Sequence, residues 1–169
     1  MDKREVYEFL RIKGIEFEAT EHEAVYNMKE LDAVDLPYPE DDAKNLFVRD
    51  DKKRNYYLIT VKGDKRVDLK AFRKTFDTRP LRFASEDELA NIMGLIAGAV
   101  TPLGVLNDEE CKVHLFIDKE FLGDPGRIGA HPNDNTATVW LQTQDLIDLV
   151  SEHGNTVTAF DASAIQLVQ

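Results

Sequence analysis

Three short stretches of the chain carry residues whose types and spacing could do chemistry. In the first, AKNLFV at residues 43–48, Lys44 alternates with Leu46 and Val48, which on a strand puts an ammonium on an apolar face. A cation there is costly to bury unless it is paired or working. The same pattern suits an edge-strand lysine that discourages aggregation. In the second, GLIAGAVTPLG at residues 94–104, Gly94, Gly98 and Gly104 interrupt an apolar run. Glycines let a backbone approach a ligand closely, and successive N–H groups can hold a developing oxyanion. They also serve tight bends in buried strands. In the third, HPNDNTATVW at residues 131–140, His131 and Asn135 stand at the mouth of a strand. Both could hydrogen-bond a polar ligand, and both suit turn chemistry.

Other chemistries find little support. His22, His114, His131 and His153 are widely separated, with no HxxxH or HExxH pair and no CxxC, so a metal site has weak support. There is no G-x-S-x-G, P-loop or G-x-G-x-x-G. GDPGRIG lacks the strand before and the helix after that a phosphate loop requires, and reads as a surface turn. The single cysteine, Cys111, excludes an internal disulfide and reads as a buried small apolar residue in the strand-like run CKVHLFID.

The elements that must position these stretches follow from caps and periodicity. Asp2 caps a helix running through Lys13, with Gly14 just past its end. Residues 15–20 alternate like a strand. Asn27 with Glu30 resembles a capping box opening a short helix that stops before Pro37. Residues 36–42 form a loop. Residues 43–49 and 56–61 form a hairpin around the charged turn DDKKRN. Asp68 caps a basic helix through Phe76, and Ser85 with Glu88 opens another. Residues 111–118 are a strand, 123–132 a loop and 136–141 a strand. Thr143 caps a helix ending at Gly154, and 156–160 is a last strand. Strands and helices mix without a regular βαβ period, so the class is α+β. The 169 residues fit one domain, 1–169, with the last few residues frayed.

Hydrophobic content of 43% and charged content of 31% are those of a soluble globular protein. No apolar run reaches the length of a membrane helix, and the charged N-terminus lacks a signal core, so a cytoplasmic protein with no membrane partner is expected. A net charge of −11 argues against nucleic acid until its distribution is considered. Between Lys44 and Arg82 basic residues outnumber acidic ones thirteen to five, although the whole chain holds 21 against 32. That asymmetry suits a polyanion-facing surface on an acidic body, and equally a solvated hairpin and helix.

Taken together and in this order, the motifs resemble the YbaK/prolyl-tRNA-synthetase-associated editing family, and within it the free-standing alanyl-tRNA(Pro) deacylases. The carrying residues are KNLFVRD at 44–50 with Tyr56, Tyr57 and Leu58; GAVTPLG at 98–104 with Asn107 and Asp108; and HPNDNTAT at 131–138 with Asp145 and Leu146. Residues 22–31 match the family's N-terminal substrate-side element, so the likeness spans roughly 1–160. The resemblance implies a single compact mixed domain around a curved, barrel-like, mainly antiparallel sheet with flanking helices. It implies hydrolysis of the ester between an amino acid and the terminal ribose of tRNA, without metal or organic cofactor. The substrate would be alanyl-tRNA(Pro), with prolyl-tRNA synthetase as a further partner and no DNA.

The resemblance assigns catalysis to Lys44, Gly98 and His131. Substrate contacts are expected at His22, Tyr26, Met28, Asn45, Val100, Thr101 and Asn135, and the basic stretch offers tRNA contacts at Lys52, Lys53, Arg54, Arg73 and Lys74. Ala97 departs from the pattern, because many members have proline just before the loop glycine. Cysteinyl-tRNA as substrate, a small-molecule ester, and a non-catalytic regulator of the same fold sensing an amino acid or charged tRNA are the alternatives.

Overall fold

The computed structural model describes residues 1–26, 29–30 and 34–167. Helix α1 (Lys3–Ile12) opens on a complete capping box: the Glu5 N–H donates to the Asp2 carboxylate at 2.9 Å and Glu5 answers the Asp2 N–H. Its buried face is Val6 and Leu10, one turn apart. The expected box at Asn27 lies outside the described residues.

The hairpin forms as its turn chemistry demands. Strands β2 (Ala43–Asp50) and β3 (Tyr56–Lys62) pair antiparallel, Lys44 opposite Val61 and Asn45 opposite Thr60. The Asp50 carboxylate accepts N–H bonds from Lys52, Arg54 and Asn55, so one buried side chain organises the whole basic turn. Helix α2 (Leu69–Phe76) is capped by Asp68, and α3 (Glu86–Met93) by a Ser85–Glu88 box. A half-buried triad ties α3 to the hairpin: Tyr56 donates to Glu88 at 2.6 Å and Arg49 pairs with it at 3.2 Å. Burial opposes the Glu88 charge, yet bonds from Tyr56, Ser85 and Arg49 win and hold it at about 2.

Five strands form one sheet in the order β4-β2-β3-β5-β8, with β4 at Leu81–Phe83, β5 at Val113–Asp118 and β8 at Val157–Phe160. A second sheet has the order β1-β7-β6, with β1 at Phe17–Glu21, β6 at Arg127–Ala130 and β7 at Ala137–Gln142. Helix α4 (Thr143–His153) follows β7. Period-two alternation sends Phe47, Tyr56 and Leu58 into a large core with α1, α3, α4 and the second sheet. It sends Val48, Ile59 and Val61 to the other face, against Phe72 of α2, Phe116 and Phe160.

The mixed α/β character is as expected, and several details are not. The pairs β3–β5 and β5–β8 are parallel. The described strands make two sheets joined by one isolated parallel bridge, Asp42 to Gly129, and no closed barrel. Residues 127–130, expected as loop, are strand β6. Its glycine is there because Trp140 of β7 lies where a Gly129 Cβ would stand. Strand β4 is too short to show a period. Thr143 is not a cap: Gln142 holds that position without a side-chain bond, and the buried Thr143 hydroxyl donates to the Phe121 carbonyl at 2.7 Å. Cys111 precedes β5 in a left-handed conformation, half-buried, with its thiol 3.6 Å from the His153 carbonyl. No described helix is long and apolar enough to cross a membrane.

Candidate active site

The bridge between Asp42 and Gly129 brings the first and third motifs of the site to one place. Because it is parallel, the two chains leave it in the same direction, Lys44 two residues beyond Asp42 and His131 two beyond Gly129. Lys44 shares its face of β2 with Leu46 and Val48, as the alternation requires. It is half-buried, and its ammonium has no hydrogen bond or ion pair among the described residues.

Asn45 turns to the opposite face and reaches the glycine loop. Its Nδ2 donates to the Val100 carbonyl at 3.2 Å, and its Oδ1 accepts from the Thr60 hydroxyl at 2.6 Å. The loop begins with a tight turn in which the Ala99 N–H donates to the Ile96 carbonyl at 3.1 Å. Gly98 is the third residue of that turn with φ +91°, the position that requires a positive φ in a type II turn. A Cβ there would stand 2.9 Å from Cδ1 of Tyr26. Three residues on, the buried Thr101 hydroxyl donates to the His131 carbonyl at 2.7 Å and accepts the Leu103 N–H at 3.3 Å.

His131 completes the circuit. Its Nδ1 lies 2.9 Å from the Ala137 carbonyl, so Nδ1 carries the hydrogen and Nε2 is left as an acceptor. Burial pushes the imidazole below its ordinary range and outweighs the pull of the Ala137 bond, with His22 pushing the same way. The His22 ring stands edge-on, 6.3 Å away, held by Thr138 at 3.0 Å and the Glu23 carbonyl at 2.8 Å. Asn135 is buried and bonds the backbone of Val25 in both directions, which anchors the segment leading to Tyr26.

The structure therefore joins Asn45, Val100, Thr101, His131 and His22 through contacts and sets Gly98 against Tyr26; Lys44 is the neighbour of Asn45 in β2, on the opposite face of the strand. Asn135 supports from behind. Met28 lies outside the described residues. The basic residues stand elsewhere. Lys52, Lys53 and Arg54 occupy the turn at the far end of β2, roughly 25 Å from Lys44 at a strand's rise per residue. Arg73 and Lys74 end α2. All five are exposed and without ion pairs among the described residues. By contrast Arg49, Lys62, Lys65 and Arg79 of the same stretch are paired with carboxylates.

One residue of this neighbourhood carried no signal in the sequence. Asp42, in the run expected as loop, is 5% exposed, and its Oδ2 has no partner among the described residues. Burial pushes its carboxyl up to about 7 against the pull of the Ala43 N–H. Among the described residues no group of three or more His, Cys, Asp or Glu could hold a metal ion.

This geometry presents a positive-φ turn with Ile96 and Ala97 exposed, an imidazole acceptor, and on the other face of β2 a cation with no ion pair among the described residues. That combination can bind an anionic ester and stabilise charge developing on its carbonyl. The family model of the aminoacyl-tRNA editing domain matches residues 22–149. The chain is 40% identical over 147 residues to the prolyl-tRNA editing protein ProX of Acetoanaerobium sticklandii, covering 87% of this chain and 89% of that one. It is 31% identical to the prolyl-tRNA synthetase associated domain-containing protein 1 of Danio rerio, covering 94% and 88%. A crystal structure of a proposed trans-editing enzyme for prolyl-tRNA synthetase superposes with TM-score 0.71 at 21% identity, over 98% of this chain and 97% of that one, a likeness of fold.

Proposed function

Since the chain belongs to the aminoacyl-tRNA editing domain family, we propose that it hydrolyses mischarged alanyl-tRNA(Pro) in trans, in the cytoplasm, in the service of prolyl-tRNA synthetase. The observation that carries the reading is the contact network of Asn45, Val100, Thr101, His131 and His22, with the next residue of β2, Lys44, bearing an ammonium that has no ion pair among the described residues.

A synthetase pocket built for proline excludes the smaller alanine poorly, because a missing methylene is worth only about 1–3 kcal/mol. A second, smaller site resolves this by admitting alanine and rejecting proline on size. The walls expected for it from the sequence are Tyr26, Met28 and Val100. Water, or the adjacent ribose hydroxyl assisting it, attacks the ester carbonyl. Backbone N–H groups of the turn at Gly98 take the oxyanion, and the C–O bond to the ribose breaks, the ribose oxygen leaving with a proton that originates in the water. Neutral His131 orients the substrate through Nε2. Lys44 pairs with a phosphate or a ribose oxygen of the terminal nucleotide. A covalent role for its amine is unsuitable, because attack would leave an amide that does not hydrolyse readily.

The test is deacylation by purified protein of a panel: alanyl-, cysteinyl- and prolyl-tRNA(Pro), and a small alanyl ester. Rapid loss of alanyl-tRNA(Pro), with prolyl-tRNA(Pro) spared, is expected. Persistence of alanyl-tRNA(Pro) at saturating enzyme contradicts the reading, and preference for the cysteinyl substrate reassigns the pocket.

A further inference from the structure

We propose that Tyr26 is the platform on which the terminal base of the acylated strand stacks, so that it positions the ester instead of lining the acyl pocket. This rests on the reading of the site as an aminoacyl-tRNA esterase. The ribose that bears the ester also bears a base, so any site that holds the ester must have a surface for that base within a nucleoside's width.

Tyr26 and Ile96 are that surface. Both are large apolar side chains left open, at 61% and 65% exposure, and both belong to the rim of the Gly98 turn. Ile96 is the first residue of the turn. Tyr26 sets the edge of its ring against the Gly98 backbone, Cδ1 lying 2.9 Å from where a Cβ would be. The backbone that carries the ring is held in place. The Tyr26 N–H donates to Glu30 Oε2 at 2.7 Å, and the preceding Val25 is bonded both ways to buried Asn135. An aromatic side chain that is fixed at its base and exposed above is pre-organised for stacking, since little conformational freedom remains to be lost on binding. Its hydroxyl has no hydrogen bond among the described residues, so the ring and not the phenol is the working part. The tRNA terminus is an adenosine, and a purine offers the larger face.

The test uses the full chain and an acceptor-stem minihelix. In the first arm, the unacylated minihelix carries 2-aminopurine in place of its terminal adenine, and its fluorescence is followed on titration with wild type, Tyr26→Phe and Tyr26→Ala. Quenching by wild type and Tyr26→Phe is expected, with Tyr26→Ala binding about 5- to 150-fold more weakly. In the second arm, the alanylated minihelix ends either in adenosine or in an abasic ribose. Loss of the base should weaken wild type as much as Tyr26→Ala does, leave Tyr26→Ala indifferent, and change the rate at saturating enzyme far less than the apparent affinity. Equal loss in wild type and Tyr26→Ala on removing the base overturns the platform, as does a Tyr26→Phe defect as large as that of alanine. The first arm does not depend on hydrolysis. Tyr26-dependent quenching without ester cleavage refutes the reaction and upholds the platform, and cleavage without Tyr26-dependent quenching does the reverse.

Discussion

The ring of Tyr26 and the backbone of Gly98 occupy adjoining space, Tyr26 Cδ1 lying 2.9 Å from the point where a side chain on Gly98 would begin. Gly98 is therefore held by two independent constraints, this contact and its φ of +91°. Gly98→Ala should remain folded, because the turn is at the surface, but should turn the N–H aside or displace the ring. A fall of about 100- to 1,000-fold in single-turnover deacylation is expected, the range for losing one oxyanion donor. Near-normal turnover by folded Gly98→Ala removes the loop from the mechanism.

Ala97 occupies the second position of the same turn, where type II geometry favours proline. Its N–H has no acceptor among the described residues, so a proline ring removes no bond. Ala97→Pro should raise stability by about 0.4–1 kcal/mol through the unfolded chain. Urea unfolding of the two proteins measures this, and a lowered midpoint contradicts the assigned turn.

Asp42 makes stability depend on pH in an unusual direction for a carboxylate. Its folded-state pKa of about 7 lies above the ordinary value of 3.8, so the folded protein holds the proton more tightly. The stability it contributes is fully present below pH 3.8 and is lost as pH rises to about 7. Asp42→Asn should therefore stabilise by about 1–3 kcal/mol near pH 8, the scale of relieving a buried unpaired carboxylate, and by less near pH 5. An equal effect at both pH values in denaturant titrations contradicts the assignment.

The turn at Lys52, Lys53 and Arg54, at the far end of β2 from Lys44, and the end of α2 at Arg73 and Lys74 are exposed, and we propose that they contact phosphates of the tRNA backbone. Charge reversal of either group should weaken tRNA binding without unfolding. It should also flatten the salt dependence by about 0.7 log units per log unit of salt for each single-stranded phosphate that is no longer neutralised. Unchanged affinity in both variants shows a merely solvated surface.

What can be foreseen from the sequence is local. The Asp2–Glu5 and Ser85–Glu88 boxes and the DDKKRN turn are decided by residues within five positions of one another. Motif order singles out Lys44, Gly98 and His131, and the fold links the three motifs through Asn45 to Val100 and Thr101 to His131. Strand β6 is hidden because its glycine answers Trp140 on a neighbouring strand. Thr143 offers a cap by type, yet its hydroxyl serves the carbonyl of Phe121, 22 positions away. Asp42 looks like any loop aspartate until the bridge to Gly129 buries it.

If the unpaired ammonium of Lys44 works on the substrate, single-turnover deacylation of alanyl-tRNA(Pro) at saturating enzyme shows it most directly. Lys44→Ala should fold normally, with a melting temperature equal to or slightly above wild type, because a half-buried cation without a partner is removed. It should lose nearly all deacylation. Lys44→Arg should also be impaired, because the wider, planar guanidinium does not place its charge at the same point. A folded Lys44→Ala protein that deacylates at the wild-type rate contradicts the account.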